Sequence, residues 1–212
     1  FIYFLVAILA GLTIHEASHA FVADKLGDPT AKRMGRVTLN PIKHIDLIGT
    51  IILPAVAIFT HLPLIGWAKP TPVNPRNFKN LVLDDILTSV AGPISNFLVV
   101  IFSLLVLAII GVIGRATGPH SSDSILTPIS LMFYYLAMIN VLLGVFNLIP
   151  LPPLDGSHVL RHALSGSALR AYDAVGTMGL FVLVFFGDRL LWLLLGPPQQ
   201  FVALFADRLL GS

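Results

Sequence analysis

Near the N-terminus, His15-Glu16-Ala17-Ser18-His19 places two imidazoles four residues apart with a carboxylate beside the first. On a helix, positions four apart stack on one face, so both rings can reach one metal ion while Glu16 sits one step round. Zinc held by three protein ligands keeps a fourth position for water and lowers that water's pKa from 15.7 toward ~7. A neighbouring carboxylate can then carry the proton to a leaving amine. A chance pattern on a solvated helix is the alternative, but fourteen uncharged residues precede this one. Ionisable groups at membrane depth are costly and are kept for function.

The third ligand must be His, Asp or Glu, because the chain has no cysteine. That absence also excludes a disulfide framework, a thiolate metal site and a cysteine nucleophile. Asp24 lies five residues past His19 and off the metal face; Asp46 lies among surface charges. Asp155 is the better choice. It ends the run Asn147-Leu-Ile-Pro-Leu-Pro-Pro-Leu-Asp155-Gly156, in which an apolar helix gives way to stiff prolines that can hold a carboxylate at fixed depth. An ordinary Asp-Gly turn stays open as the other reading.

These residues need elements to position them, and composition says of what kind. Of the 212 residues 56% are hydrophobic and only 11% charged, and the mean hydropathy is +0.87. That excludes an ordinary soluble domain. Long windows nearly free of charge cover 1–14, 47–67, 86–114, 125–154 and 174–187, resuming at 190–195. Several approach the roughly 20 helical residues needed to cross a hydrocarbon core. The net charge of +2 makes no nucleic-acid patch, so the expected surroundings are the lipid bilayer. The first stretch has no small-residue cleavage site after it and is read as a retained helix, not a cleaved signal peptide.

The first helix is expected to run to about residue 23 and to stop at Gly27-Asp28-Pro29. The segment after it carries Lys25, Lys32, Arg33, Arg36 and Lys43, which assigns it to the cytoplasmic side. Residues 36–40 and Val73-Asn-Pro75 are too short for helices and read as a small β-hairpin at the membrane edge. The apolar run 47–67 is broken by Gly49, Pro54, His61, Pro63 and Gly66. With basic loops on both sides it reads as re-entrant, a crossing being the alternative. Residues 86–114 read as the clearest span, 125–148 as a return, 172–195 as another crossing, and 201–210 as a short amphipathic tail. The expected fold is an all-α polytopic membrane protein with four to five transmembrane helices, a re-entrant element and that hairpin. It forms one domain over 1–212, with a catalytic core of about 1–170 and C-terminal helices over 172–210. By parity both chain ends lie outside and the metal lies toward the cytoplasmic ends of its helices.

His15 to His19 taken with Asn147 to Gly156 resembles the site-2 protease family of intramembrane zinc metalloproteases (peptidase family M50). The segment Ala91-Gly92-Pro93-Ile94-Ser95-Asn96 is similar to that family's G-P-x-x-N stretch. The order and approximate spacing of the three motifs match from about residue 1 to 170. The residues after 67, Trp67-Ala-Lys-Pro-Thr-Pro-Val-Asn-Pro75, resemble a compact bacterial subgroup without PDZ or CBS domains. The resemblance implies one Zn2+ on His15, His19 and Asp155, Glu16 as general acid/base, and Asn147 as an oxyanion donor. It implies substrate positioning or helix bonding for Asn96, with Gly92 and Pro93 beside it. It also implies a transmembrane protein substrate cut within or beside the bacterial inner membrane.

Among the other histidines, His158 lies three residues past Asp155 and could bond that carboxylate. His44 and His61 could line a water path, His120 belongs to a polar loop, and His162 to an interface. A substrate helix must unwind to expose its carbonyls, which strand pairing with 36–40 or the Val73 region could achieve. The competing class is a metal-binding transporter or pseudoprotease, which leaves Glu16 without a role. A prenyl-peptide type of membrane protease also uses H-E-x-x-H, but with a glutamate as third ligand and no proline-rich L-D-G run.

Overall fold

A computed structural model of the chain describes residues 2–52, 56, 67–117 and 125–210. Every regular element among them is helical. The long ones are α1 (Ile2–Leu26), α3 (Leu81–Thr117), α4 (Leu126–Asn147), α6 (Gly166–Phe186) and α7 (Asp188–Leu210), with the shorter α2 (Thr30–Arg33) and α5 (Gly156–Ala163) between them. Single turns at Pro41–Lys43, Leu47–Ile52 and Pro75–Asn77 punctuate the loops. Three helices, α1, α3 and α4, are long and apolar enough to cross a membrane. A fourth span is reached if the two halves of α6, bent by 61° at Gly176, count as one. Leu98, Ile101, Leu105, Ile109 and Val112 of α3 are exposed, as befits a helix whose solvent is lipid.

The described residues fall into two compact units, Leu12–Gly92 and Phe1–Gly11 with Pro93–Ser212. In the second, Val100 of α3, Ala137 and Val141 of α4 and Val202 of α7 form a buried apolar cluster, with Phe97, Leu104, Met138 and Val145 against it. Ile149, Leu154 and Leu183 form another. Gly111 lets α7 end against α3: a Cβ there would stand 1.8 Å from the Leu209 carbonyl oxygen. The expected amphipathic tail is therefore part of the core. Val202 and Ala206, one helical turn apart, are both buried, and the helix runs unbroken through Pro197 and Pro198. The break falls at Gly187 instead of residue 195.

In Leu12–Gly92 the expected hairpin is absent. Residues 36–40 and 73–75 contain no strand; side chains take the Thr38 carbonyl and the Asn74 N–H that a ladder would use, and others tie the flanking backbone. Arg36, only 4% exposed, donates to the carbonyls of Lys43 and Lys69 and, at 2.8 Å, to that of Pro70. Asp28, wholly buried, accepts from the Asn74 and Thr30 backbone N–H groups and the Asn77 amide. Of the segment 47–67, the turn at Leu47–Ile52 is described; the course of most of it, with His61, lies outside the described residues, as does His120.

Candidate metal centre and active site

The apolar helix α1 carries His15, Glu16 and His19 in its second half. His15 and His19 are 4% and 7% exposed. Their rings meet edge to face with centroids 4.6 Å apart, and their Nε2 atoms stand 3.0 Å from each other. His19 Nδ1 lies 2.7 Å from the Thr88 carbonyl oxygen of α3. A carbonyl can only accept, so Nδ1 carries the hydrogen and Nε2 presents its lone pair toward His15. A backbone carbonyl orienting one imidazole nitrogen is what a metal-binding histidine requires.

Gly92 explains why there is room. A Cβ there would lie 2.4 Å from His19 Nε2 and 2.6 Å from His15 Nε2, occupying the space on which both nitrogens converge. Pro93, fully buried within α3, lacks the N–H that would pair with the Ser89 carbonyl, in the turn where Thr88 serves His19. Two nitrogens on one tetrahedral zinc stand about 3.3 Å apart for Zn–N bonds of roughly 2.0–2.1 Å, so the imidazoles fit such an ion with little adjustment. Among the described residues, His15, His19 and Asp155 form a set whose ligand atoms all lie within 4.8 Å of one another.

Asp155 stands at the N-terminus of α5 but does not cap it with its side chain. A succession of tight turns, with Leu151 N–H donating to Ile149 O, Leu154 N–H to Leu151 O and Ser157 N–H to Leu154 O, holds the chain around it. The rejected carboxylates are engaged elsewhere. Asp24 pairs with Lys32 at 2.9 Å, and Asp46 accepts from the N–H groups of Ile48 and Gly49.

Glu16 is half-buried, and the backbone N–H of Thr71 donates to its Oε2 at 2.8 Å. The Thr71 hydroxyl lies 2.7 Å from the same oxygen and 2.9 Å from the Glu16 carbonyl oxygen. Thr71 and Arg36 have no signal in the sequence as partners of the helix. Burial pulls the Arg36 pKa below the ordinary arginine value, and the Glu16 carboxylate opposes that pull.

The remaining expected residues divide. Asn96 is fully buried, and its amide nitrogen donates to Asn140 Oδ1 at 2.7 Å and to the Gly11 carbonyl at 3.4 Å. It thus joins three helices. Asn140, a polar residue within an apolar span, is the signal in the sequence for this contact. Asn147 ends α4, its amide donating to Leu143 O at 2.9 Å. His158 is exposed and His162 half-buried on α5. His44 is buried and lies 2.9 Å through Nε2 from the Thr38 carbonyl, a bond within its own loop.

Comparison with known proteins gives one family, peptidase family M50, whose model matches residues 3–186. YwhC of Bacillus subtilis, provisionally named a zinc metalloprotease, is 37% identical over 93% of this chain and 88% of its own length. Rip2 of Mycolicibacterium smegmatis, provisionally named likewise, is 28% identical over 87% of this chain and 66% of its own. No solved structure matches the chain.

Proposed function

This chain belongs to peptidase family M50, the site-2 protease family of intramembrane metalloproteases, and from that premise we propose a mechanism in which His15, His19 and Asp155 hold one zinc ion and Glu16 moves the proton. The observation that carries the proposal is the pair of imidazole Nε2 atoms converging 3.0 Å apart over the space kept open by Gly92, with a carboxylate in the same set. Zinc bound there supplies Lewis acidity toward water and the scissile carbonyl.

The side chains do the rest. Glu16 takes the proton from the attacking water and returns it to the amine nitrogen as the peptide bond breaks. Asn147 donates the second hydrogen of its amide to the developing oxyanion; its first is spent on Leu143 O, which holds the amide plane still. Asn96, bonded across α1, α3 and α4, keeps the helices in register and does not touch substrate. The enzyme is an endopeptidase acting on transmembrane or membrane-adjacent segments in the bacterial inner membrane. Its site lies toward the cytoplasmic end of α1, where Lys25, Lys32, Arg33, Arg36 and Lys43 follow. The whole of 1–212 acts as one catalytic domain, the core being about 1–170 with the C-terminal helices as its support.

The test uses purified protein in lipid nanodiscs, with zinc counted by atomic emission and cleavage followed on a single-span reporter. Glu16→Gln is expected to keep one zinc per chain and lose cleavage by about 10²–10⁴-fold. Asp155→Ala is expected to lose both. Full cleavage by Glu16→Gln, or full zinc occupancy in a double His15→Ala, His19→Ala protein, overturns the proposal.

A further inference from the structure

Among the described residues, Glu16 receives its side-chain hydrogen bonds from Thr71 alone, on one oxygen. Two donors of that residue, its backbone N–H at 2.8 Å and its hydroxyl at 2.7 Å, face Oε2, the single hydroxyl hydrogen having the Glu16 carbonyl oxygen at 2.9 Å as its other acceptor, while Oε1 takes no hydrogen bond among the described residues. A carboxylate gripped by one oxygen from two directions loses rotation about its terminal torsion, which is otherwise broad, and keeps the second oxygen for exchange. Bonds to an ionised acceptor are roughly twice as strong as neutral ones, so this grip restrains Glu16.

Thr71 lies 55 residues from Glu16 in an irregular segment, and such a segment needs something to hold it. Arg36 supplies that. Its buried guanidinium donates to the carbonyls of Lys69 and Pro70, the two residues before Thr71, and to that of Lys43. The planar fork of arginine suits several acceptors at once, which a lysine ammonium on a flexible stem does not match. On the far side of Thr71, the Asn74 N–H is tied to Asp28 at 2.7 Å. The segment is thus pinned on both sides of the residue that bonds to Glu16.

We propose that Thr71 is a positioning residue for Glu16, setting which carboxylate oxygen exchanges the proton, and that Arg36 anchors the segment that presents Thr71. The inference rests on the acid/base role given to Glu16 above. A simple tie between loop and helix would affect stability; a positioning residue affects kcat.

Two measurements on the full chain in nanodiscs separate these. In steady-state cleavage of the single-span reporter, Thr71→Val keeps the backbone N–H and the side-chain shape but removes the hydroxyl. It is expected to lower kcat about tenfold or more, with KM within about twofold and zinc content unchanged. Thr71→Ser restores kcat to within about threefold of wild type, and Arg36→Lys falls with Thr71→Val. In amide hydrogen exchange, which needs no turnover, the Thr71 amide is slow in wild type and exchanges about tenfold faster in Glu16→Ala. Wild-type kcat in Thr71→Val, or a kcat loss matched by zinc loss and unrescued by serine, overturns the inference. So does a Thr71 amide indifferent to Glu16→Ala. If instead Glu16→Gln cleaves normally, the acid/base reading itself fails, whatever the exchange result says of the contact.

Discussion

In residues 12–92 the buried polar side chains bond mostly to backbone: Arg36 to three carbonyls, Asp28 to two N–H groups, His44 to Thr38 O, and His19 to Thr88 O. In residues 93–212 the buried side chains are mainly apolar, as in the cluster of Val100, Ala137, Val141 and Val202, with Asn96 and Asn140 a polar pair among them. Apart from the His19 bond, which joins two helices, the difference has one cause. Helices satisfy their own backbone, so their side chains are free to pack as hydrocarbon. The irregular stretches 34–46 and 67–80 have no ladder of their own, and side chains must supply the missing partners. The two histidines and the glutamate of the H-E-x-x-H pair lie in the region whose polar side chains already serve the backbone.

The same glycine substitution should have opposite consequences in the two regions. Gly92→Ala drives a methyl toward both imidazoles and is expected to abolish zinc binding and lower cleavage by a hundredfold or more, roughly the cost of a 1 Å misplacement. Gly111→Ala, crowding the Leu209 carbonyl, is expected to cost about 1–3 kcal/mol of stability and to leave zinc stoichiometry at one. Zinc analysis and thermal unfolding on both proteins decide it, and equal zinc loss in both would erase the distinction.

Asp28→Ala removes the acceptor on which Thr30, Asn74 and Asn77 converge, and is expected to destabilise by about 3 kcal/mol. Next comes the asparagine pair. Asn96→Leu alone strands Asn140 and should cost about 1–3 kcal/mol, whereas Asn96→Leu with Asn140→Leu should recover most of that, since removing both partners can be nearly neutral. A double-mutant cycle by denaturant unfolding reads the coupling directly; strict additivity would mean that the pair behaves as two unrelated residues.

The smallest expected effect is with pH. Burial alone would raise the Asp28 pKa, but the bonds from Thr30, Asn74 and Asn77 outweigh it and hold the group below its ordinary 3.8. A depressed folded-state pKa contributes stability that is complete above the unfolded value and is lost as pH falls through the folded one. Wild type should therefore lose stability below about pH 4 more steeply than Asp28→Asn. Parallel acid-unfolding profiles for the two proteins would remove Asp28 from the account.

The spans and the H-E-x-x-H pair were legible because both are local. Apolar length reports a helix in lipid, and a four-residue spacing on that helix puts two rings on one face whatever surrounds it. The likeness of Asn147 to Gly156 to a known motif is what singled out Asp155 as the candidate third ligand. Not legible were the loops. Short, proline-bounded segments with β-branched residues read as strands by local propensity, yet His44 takes the Thr38 carbonyl and Asp28 takes the Asn74 N–H, the latter from 46 residues away. The tail at 201–210 read as amphipathic because periodicity cannot say which neighbour covers a face.

What residue order decided here is therefore the kind of chemistry and the kind of solvent: two histidines and a glutamate on a helix too apolar for water. What folding decided is how that chemistry is held. Gly92 keeps the imidazoles clear, Thr88 chooses the His19 tautomer, and Thr71 grips Glu16 from a segment that Arg36 pins in place. Each of these depends on pairs 33 to 77 residues apart, and no periodicity along a chain encodes a contact at that separation.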